Sequence, residues 1–236
     1  MKMRRLPDLD LARIAPLPRD QKRRELEQMK IGFPPYSYDP VRRSNPDILN
    51  VDLGPLAVLA RAPWPAVVAA ITSRCRSVAE LEANLRVAEG LYVFAVEQEI
   101  AGRRQEFYPL AIGVSEKVTF WLSAVIAIAG KPVVPFIDPR RTRKLTDVGR
   151  RFAFSVAHQR IRAADLDYAD VGLCIIQFAN TKTGLRPPKV FMDDGIELFD
   201  FETLDAMVRE TYEIWHEVLG EREAAARRAG GTGTLI

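Results

Sequence analysis

Cysteine and histidine are scarce in this 236-residue chain, with two of each: Cys75, Cys174, His158 and His216. Two cysteines cannot build a disulfide framework and are not spaced as a metal motif, and with only two histidines a zinc site is not expected. So low a cysteine content, with no disulfide pattern, fits a reducing compartment, and a cytoplasmic location is expected. There is no run of about 20 apolar residues, the length needed to span a bilayer. The most apolar window, Val118 to Gly130, is shorter and is bounded by Lys117 and Lys131. The basic start Met1-Lys2-Met3-Arg4-Arg5 has no apolar run behind it and does not read as a signal peptide. A membrane partner is therefore not expected. Neither sign of charge dominates: 34 Lys and Arg against 31 Asp and Glu leave a net charge of +3, which predicts no partner by itself. The chain also lacks a Gly-rich phosphate loop, Gly-x-Ser-x-Gly and His-Glu-x-x-His. No catalytic residue and no cofactor follow from motifs.

What is there is a globular composition, 47% apolar and 28% charged. Residues 1–45 carry 11 basic residues against 6 acidic ones, and prolines at 7, 16, 18, 34, 35 and 40. Residues 1–50 read as a basic, Pro-rich arm, either draped on the core or a disordered leader, with one short helix from Asp20 to Met29. Residues 51–220 read as one core domain. Up to residue 100 the pattern is helical, with a capping box at Ser77-Val78-Ala79-Glu80. Strands are expected at Phe107 to Val114, Val118 to Ala129 and Pro132 to Ile137, the last two joined by a turn at Gly130-Lys131. Their continuous apolar character predicts burial on both faces. A helix at Thr146 to Ala164, a strand at Asp170 to Ala179, a short strand at Lys189 to Met192 and a helix capped by Asp200 complete the core. Residues 221–236 lose the pattern and read as a disordered tail. The expected class is α/β or α+β, one domain with a mixed central sheet flanked by helices.

The densest charge lies at 140–162, with eight basic residues and one acid, Asp147. Arg140, Arg141, Arg143, Lys144 and Arg151 are candidate phosphate contacts, which makes DNA a possible partner. Arg151, His158 and Arg162 share one stripe of the expected helix. The alternative is a solvated helix face balanced by Asp165, Asp167 and Asp170. The element order from 77 to 179 resembles the PD-(D/E)XK nuclease fold, in which acids on neighbouring strands hold Mg²⁺ and a lysine assists the water. At Asp138-Pro139-Arg140 the lysine is replaced by arginine, and the preceding strand contains no acid. The resemblance therefore implies a degenerate restriction-endonuclease-like core, with Asp138 as a possible metal ligand or simply a turn residue before Pro139. Both cysteines sit in apolar settings and read as buried structural residues.

Gln105-Glu106-Phe107-Tyr108-Pro109-Leu110 resembles the bacterial sliding-clamp-binding hexapeptide, in which a glutamine fixes register and two large side chains fill an apolar cleft. Gln105, Tyr108 and Leu110 would take those roles; the alternative is an ordinary strand. A second candidate, Asn50 to Leu56, offers Leu53 and Leu56 without the glutamine. Length, Arg/Ala-rich composition, the lack of a catalytic motif and these peptides together resemble the SocB family, the toxins of alphaproteobacterial toxin–antitoxin pairs. That resemblance implies a non-enzymatic inhibitor of DNA replication that occupies the bacterial DNA sliding clamp. It also implies an antitoxin that acts as adaptor to a ClpXP-type protease.

Overall fold

The two longest strands described, β6 (Lys131–Asp138) and β7 (Gly172–Phe178), lie parallel and side by side within a six-stranded sheet. Their side chains alternate between two cores. Val134, Phe136, Leu173 and Ile175 enter one, and Val133, Ile137, Cys174 and Ile176 the other. A strand covered on both sides cannot show polar–apolar alternation, which is why these runs are continuously apolar.

The computed structural model describes residues 5–29, 37–52, 60–113, 116–118, 120, 124–182 and 184–230. The chain opens with α1 (Asp8–Ile14), α2 (Arg19–Glu27) and α3 (Asp39–Ile48). Then come β1 (Val51–Asp52), α4 (Trp64–Thr72), α5 (Val78–Glu97) and β2 (Ala101–Arg104). A two-stranded ribbon, β3 (Leu110–Ile112) with β4 (Glu116–Val118), stands apart from the main sheet. β5 (Ala124–Ile128) leads into β6 and then α6 (Asp147–Ala157), which passes into a π-helical turn, His158–Arg162. A 3₁₀ turn at Leu166–Tyr168 precedes β7, and β8 (Pro188–Met192) and α7 (Phe201–Gly230) close the chain. The sheet order is β1-β2-β5-β6-β7-β8, with β1/β2 and β6/β7 parallel and the other pairs antiparallel. Residues of α3, α4 and α5 fill one core; residues of α1, α2, α6 and α7 fill the other. The mixed α/β single domain expected from the sequence is what forms.

Residues 5–29 are more deeply embedded than an arm. Leu6, Leu11, Ile14 and Leu26 are fully buried, and α2 lies along α7. Opposite charges line that seam: Lys22 meets Glu210, Arg19 lies 3.3 Å from Glu210, and Arg23 contacts Glu217 at 2.9 Å and Glu221 at 2.5 Å. At the other end α7 continues to Gly230, past the point where the sequence pattern fades into an expected tail.

The capping box forms with a variation. Ser77 accepts from the Glu80 N–H, but Glu80 reaches back past the cap to the N–H groups of Arg76 and Ser37. The guanidinium of Arg76, with those two N–H groups, holds the Glu80 carboxyl at about 2, far below its ordinary value. The hairpin turn falls one residue earlier than expected. Ala129 and Gly130, at φ 49° and 75°, link Ile128 to Lys131, the two positive values of a type I′ turn. β1 falls in the stretch whose pattern is helical, and β2 lies where the sequence predicts no element. Phe107 to Val114 holds only β3 among its described residues. The strand expected from Val118 to Ala129 divides instead into the end of β4 and β5.

Candidate functional site

Gln105 to Pro109 form no strand; they make the connection from β2 to β3, and Leu110 is the first residue of β3. Phe107 turns inward, its ring edge-on to Tyr168 with centroids 5.2 Å apart. Leu110 is partly buried against the same core. Gln105 is half-buried, its Nε2 donating to the Glu106 carbonyl at 3.1 Å. Tyr108 points the other way and is 91% exposed. An aromatic ring left in water is an unspent contact surface, because its burial in a partner releases a large apolar area.

The loop is held from behind by Arg160. This residue is 8% exposed, and its Nε and Nη2 donate to the carbonyls of Tyr108 (2.7 Å) and Phe107 (2.5 Å). Its Nη1 donates to the Phe120 carbonyl at 3.1 Å. Burial lowers the Arg160 pKa from its ordinary value, but a guanidinium remains charged at any physiological pH. A rigid fork of donors fixed to three carbonyls locks the backbone while leaving the Tyr108 ring free. The π-helical turn that carries Arg160 directs it. α6 starts with the Thr146 hydroxyl accepting from Gly149 N–H, runs on buried Phe152 and Val156, and widens at His158.

The other candidates fare differently. Leu53 and Leu56 lie outside the described residues. Asp138 is fully buried, and both its oxygens are occupied, by Arg140 N–H (3.3 Å) and Nε (2.9 Å) and by Leu145 N–H (3.1 Å) and Gln177 Nε2 (3.0 Å). It is a structural acid tying β6 to the following loop. Among the described residues no group of three metal-ligating side chains comes together. The nuclease-like reading therefore loses its candidate metal ligand.

The basic stretch is also turned inward. Arg140 binds Asp138 and Asp10. The Lys144 ammonium donates to the Phe178 carbonyl. Arg150 lies 3.8 Å over the Phe191 ring, and Arg151 donates to the Glu197 carbonyl while lying 3.9 Å over Phe199. Arg162 grips Asp193 at 2.5 Å. The expected stripe of Arg151, His158 and Arg162 is thus a packing face against residues 193–199. Of the five candidate phosphate contacts only Arg141 and Arg143 are exposed, and Arg143 reaches Gln28 at 3.5 Å. Neither thiol is activated: burial pushes Cys174 up to about 12 and raises Cys75 as well. Burial, with Arg162 nearby, lowers His158.

Sequence reasoning missed Arg160 as the clip, counting it only as one more cation. The available signal was its place four residues after Val156, on the apolar side of the helix.

Described in this way, the molecule is a helix-covered mixed sheet that offers a fixed aromatic loop, while its densest run of charge is consumed internally. Its relatives are of a matching kind. The family model described as "Sliding clamp-binding bacterial toxin SocB" matches residues 9–225, from α1 into α7. The "DNA replication inhibitor toxin SocB" of Caulobacter vibrioides (strain NA1000 / CB15N) is 37% identical over 234 residues, covering 99% of this chain and 98% of that protein. The chain belongs to the SocB family. No solved structure matches it. No helix of the described residues is long and apolar enough to cross a membrane.

Proposed function

We propose that this chain inhibits DNA replication by occupying the peptide cleft of the bacterial DNA sliding clamp, acting in the cytoplasm as a toxin. The observation that carries the reading is Tyr108, 91% exposed on a loop whose backbone is fixed by Arg160. Tyr108 is the leading anchor and Gln105 the register-setting amide. Leu110 is partly committed to the chain's own core, so it enters the cleft only as far as its exposed part allows. A preordered loop loses little conformational entropy on docking, which favours binding without a large interface. Leu53 and Leu56 are the alternative anchors. The same reading includes a dedicated antitoxin that serves as adaptor to a ClpXP-type protease, as the family resemblance implies.

The test is direct binding of the purified chain to a purified bacterial sliding clamp. Gln105→Ala with Leu110→Ala, Leu53→Ala with Leu56→Ala, and Tyr108→Ala are measured beside it. Loss of binding in the folded Tyr108 variant assigns the loop. Loss only in the Leu53/Leu56 variant moves the site to that segment. Absence of binding at micromolar clamp rejects the reading. Degradation of the chain by a ClpXP-type protease only when antitoxin is added tests the regulatory half.

A further inference from the structure

The crevice beyond the carboxyl ends of parallel strands is where a sheet of this kind presents loops to a ligand. Here the loop after β6 and the loop after β7 meet at that place and are stitched together. Asn180 Nδ2 donates to the Arg141 carbonyl at 3.2 Å. Arg186 donates to the carbonyls of Pro139 (2.7 Å) and Arg140 (2.9 Å). With Ala83 and Arg86 of α5 they enclose a groove of about 180 Å³.

The groove holds positive charge without its counterpart. Of the other buried cations, Arg13 and Lys22 meet a carboxylate, as do the less buried Arg140 and Arg162, while Arg160 donates to three carbonyls. Arg186, at 5% exposure, also meets carbonyls, together with the Tyr38 hydroxyl and the Phe178 ring, but its Nε has no hydrogen-bond partner among the described residues. Lys144, immediately behind it, also lies on a carbonyl, and burial together with the Arg186 charge lowers its pKa. The exposed Arg141 guanidinium has no ion pair among the described residues. Arg86 has Glu82 at 3.7 Å. Along the groove lining, Arg86, Arg141 and Arg186 against Glu82 thus leave a net +2. A carboxylate would offset one of those charges, whereas a phosphate monoester carries about −1.5 to −2. At about 180 Å³ the groove has room for a phosphate and a small attached group.

We propose that this crevice binds a small phosphate ester, with Arg141 and Arg86 contacting the phosphate and Arg186 and Lys144 supplying fixed positive charge behind it. The site is separate from the Tyr108 loop and does not depend on clamp binding.

The probe is a nucleoside monophosphate, titrated at constant ionic strength while the melting temperature of the full chain is followed, since a ligand of the folded state raises it saturably. Arg141 is exposed, so Arg141→Gln is compatible with folding; its ligand-free melting temperature checks this. The expected result is a saturable rise whose half-point weakens about tenfold or more in Arg141→Gln, the loss of one set of charge-assisted hydrogen bonds. Arg143→Gln, outside the groove, leaves the half-point unchanged. No saturable rise, or an equal rise in Arg141→Gln, overturns the proposal. A single-stranded oligonucleotide that binds far more tightly, with steep salt dependence and loss in Arg141→Gln, overturns the small-ester assignment in favour of a nucleic-acid backbone.

Discussion

Two segments of this molecule are rich in recognition chemistry, and they use it in opposite directions. Between residues 138 and 162 the chain concentrates cations, yet Arg140, Arg150, Arg151, Arg160 and Arg162 are spent on carboxylates, carbonyls and aromatic rings of the same chain. Between 105 and 110 it carries far less, but one of its two aromatic residues, Tyr108, is turned to solvent. The difference teaches that a charge run identifies a partner only after its internal partners are subtracted. Arg160 joins the two regions: a cation of the inward segment holds the backbone of the outward one.

The strongest way to break this contrast is at its buried end. Asp138→Ala leaves the Arg140 guanidinium, the Leu145 N–H and Gln177 without their acceptor, and is expected to cost about 3–5 kcal/mol. Denaturant midpoints measure it; a change below about 1 kcal/mol would return Asp138 to the pool of functional acids. Next is Arg160→Met, which keeps the side-chain bulk but frees three carbonyls. About 2–3 kcal/mol of stability is expected to be lost. Clamp affinity should fall with it, because the Tyr108 loop is no longer fixed. Full affinity in a loosened variant would separate loop order from binding.

Glu80 sharpens the comparison from the other face of the sheet, where a buried acid, rather than a buried base, fastens one segment to another. Its pKa is depressed to about 2 in the fold, so its stabilisation is complete above the ordinary carboxylate value, near 4.5, and is lost as pH falls toward 2. Glu80→Gln should remove about 1–2 kcal/mol at neutral pH and flatten the dependence of melting temperature on pH across that window. An unchanged acid limb in the variant would mean that other carboxylates dominate it. The smallest effect on folding is expected at Tyr108: Tyr108→Ala changes stability by no more than about 0.5 kcal/mol, since the ring touches little of its own chain.

The sheet and helices were legible where burial imposes a period. Val148, Phe152 and Val156 recur four apart and mark α6, and the unbroken apolar runs mark β6 and β7. Ser77 and Asp200 announce helix starts and do cap α5 and α7, Asp200 accepting from Thr203 N–H at 2.7 Å. β2 was not legible because Ala-Gly-Arg-Arg has no apolar alternation; the strand is largely exposed and exists through its pairing with β1 and β5. The fate of the basic stretch was hidden for a different reason. Asp10 lies 130 residues from Arg140, so the pairing is a product of topology rather than of local pattern. In the Gln105–Leu110 loop the residue types were legible, but not which side chains face water or what holds them there.

The most direct measurement is equilibrium binding of the full chain to a purified sliding clamp, compared with Tyr108→Ala at matched stability. A hot-spot aromatic contributes about 2 kcal/mol or more, so affinity should fall about thirtyfold or more while the melting temperature stays in place. Clamp affinity equal in the two proteins would contradict the claim that this loop is the recognition element.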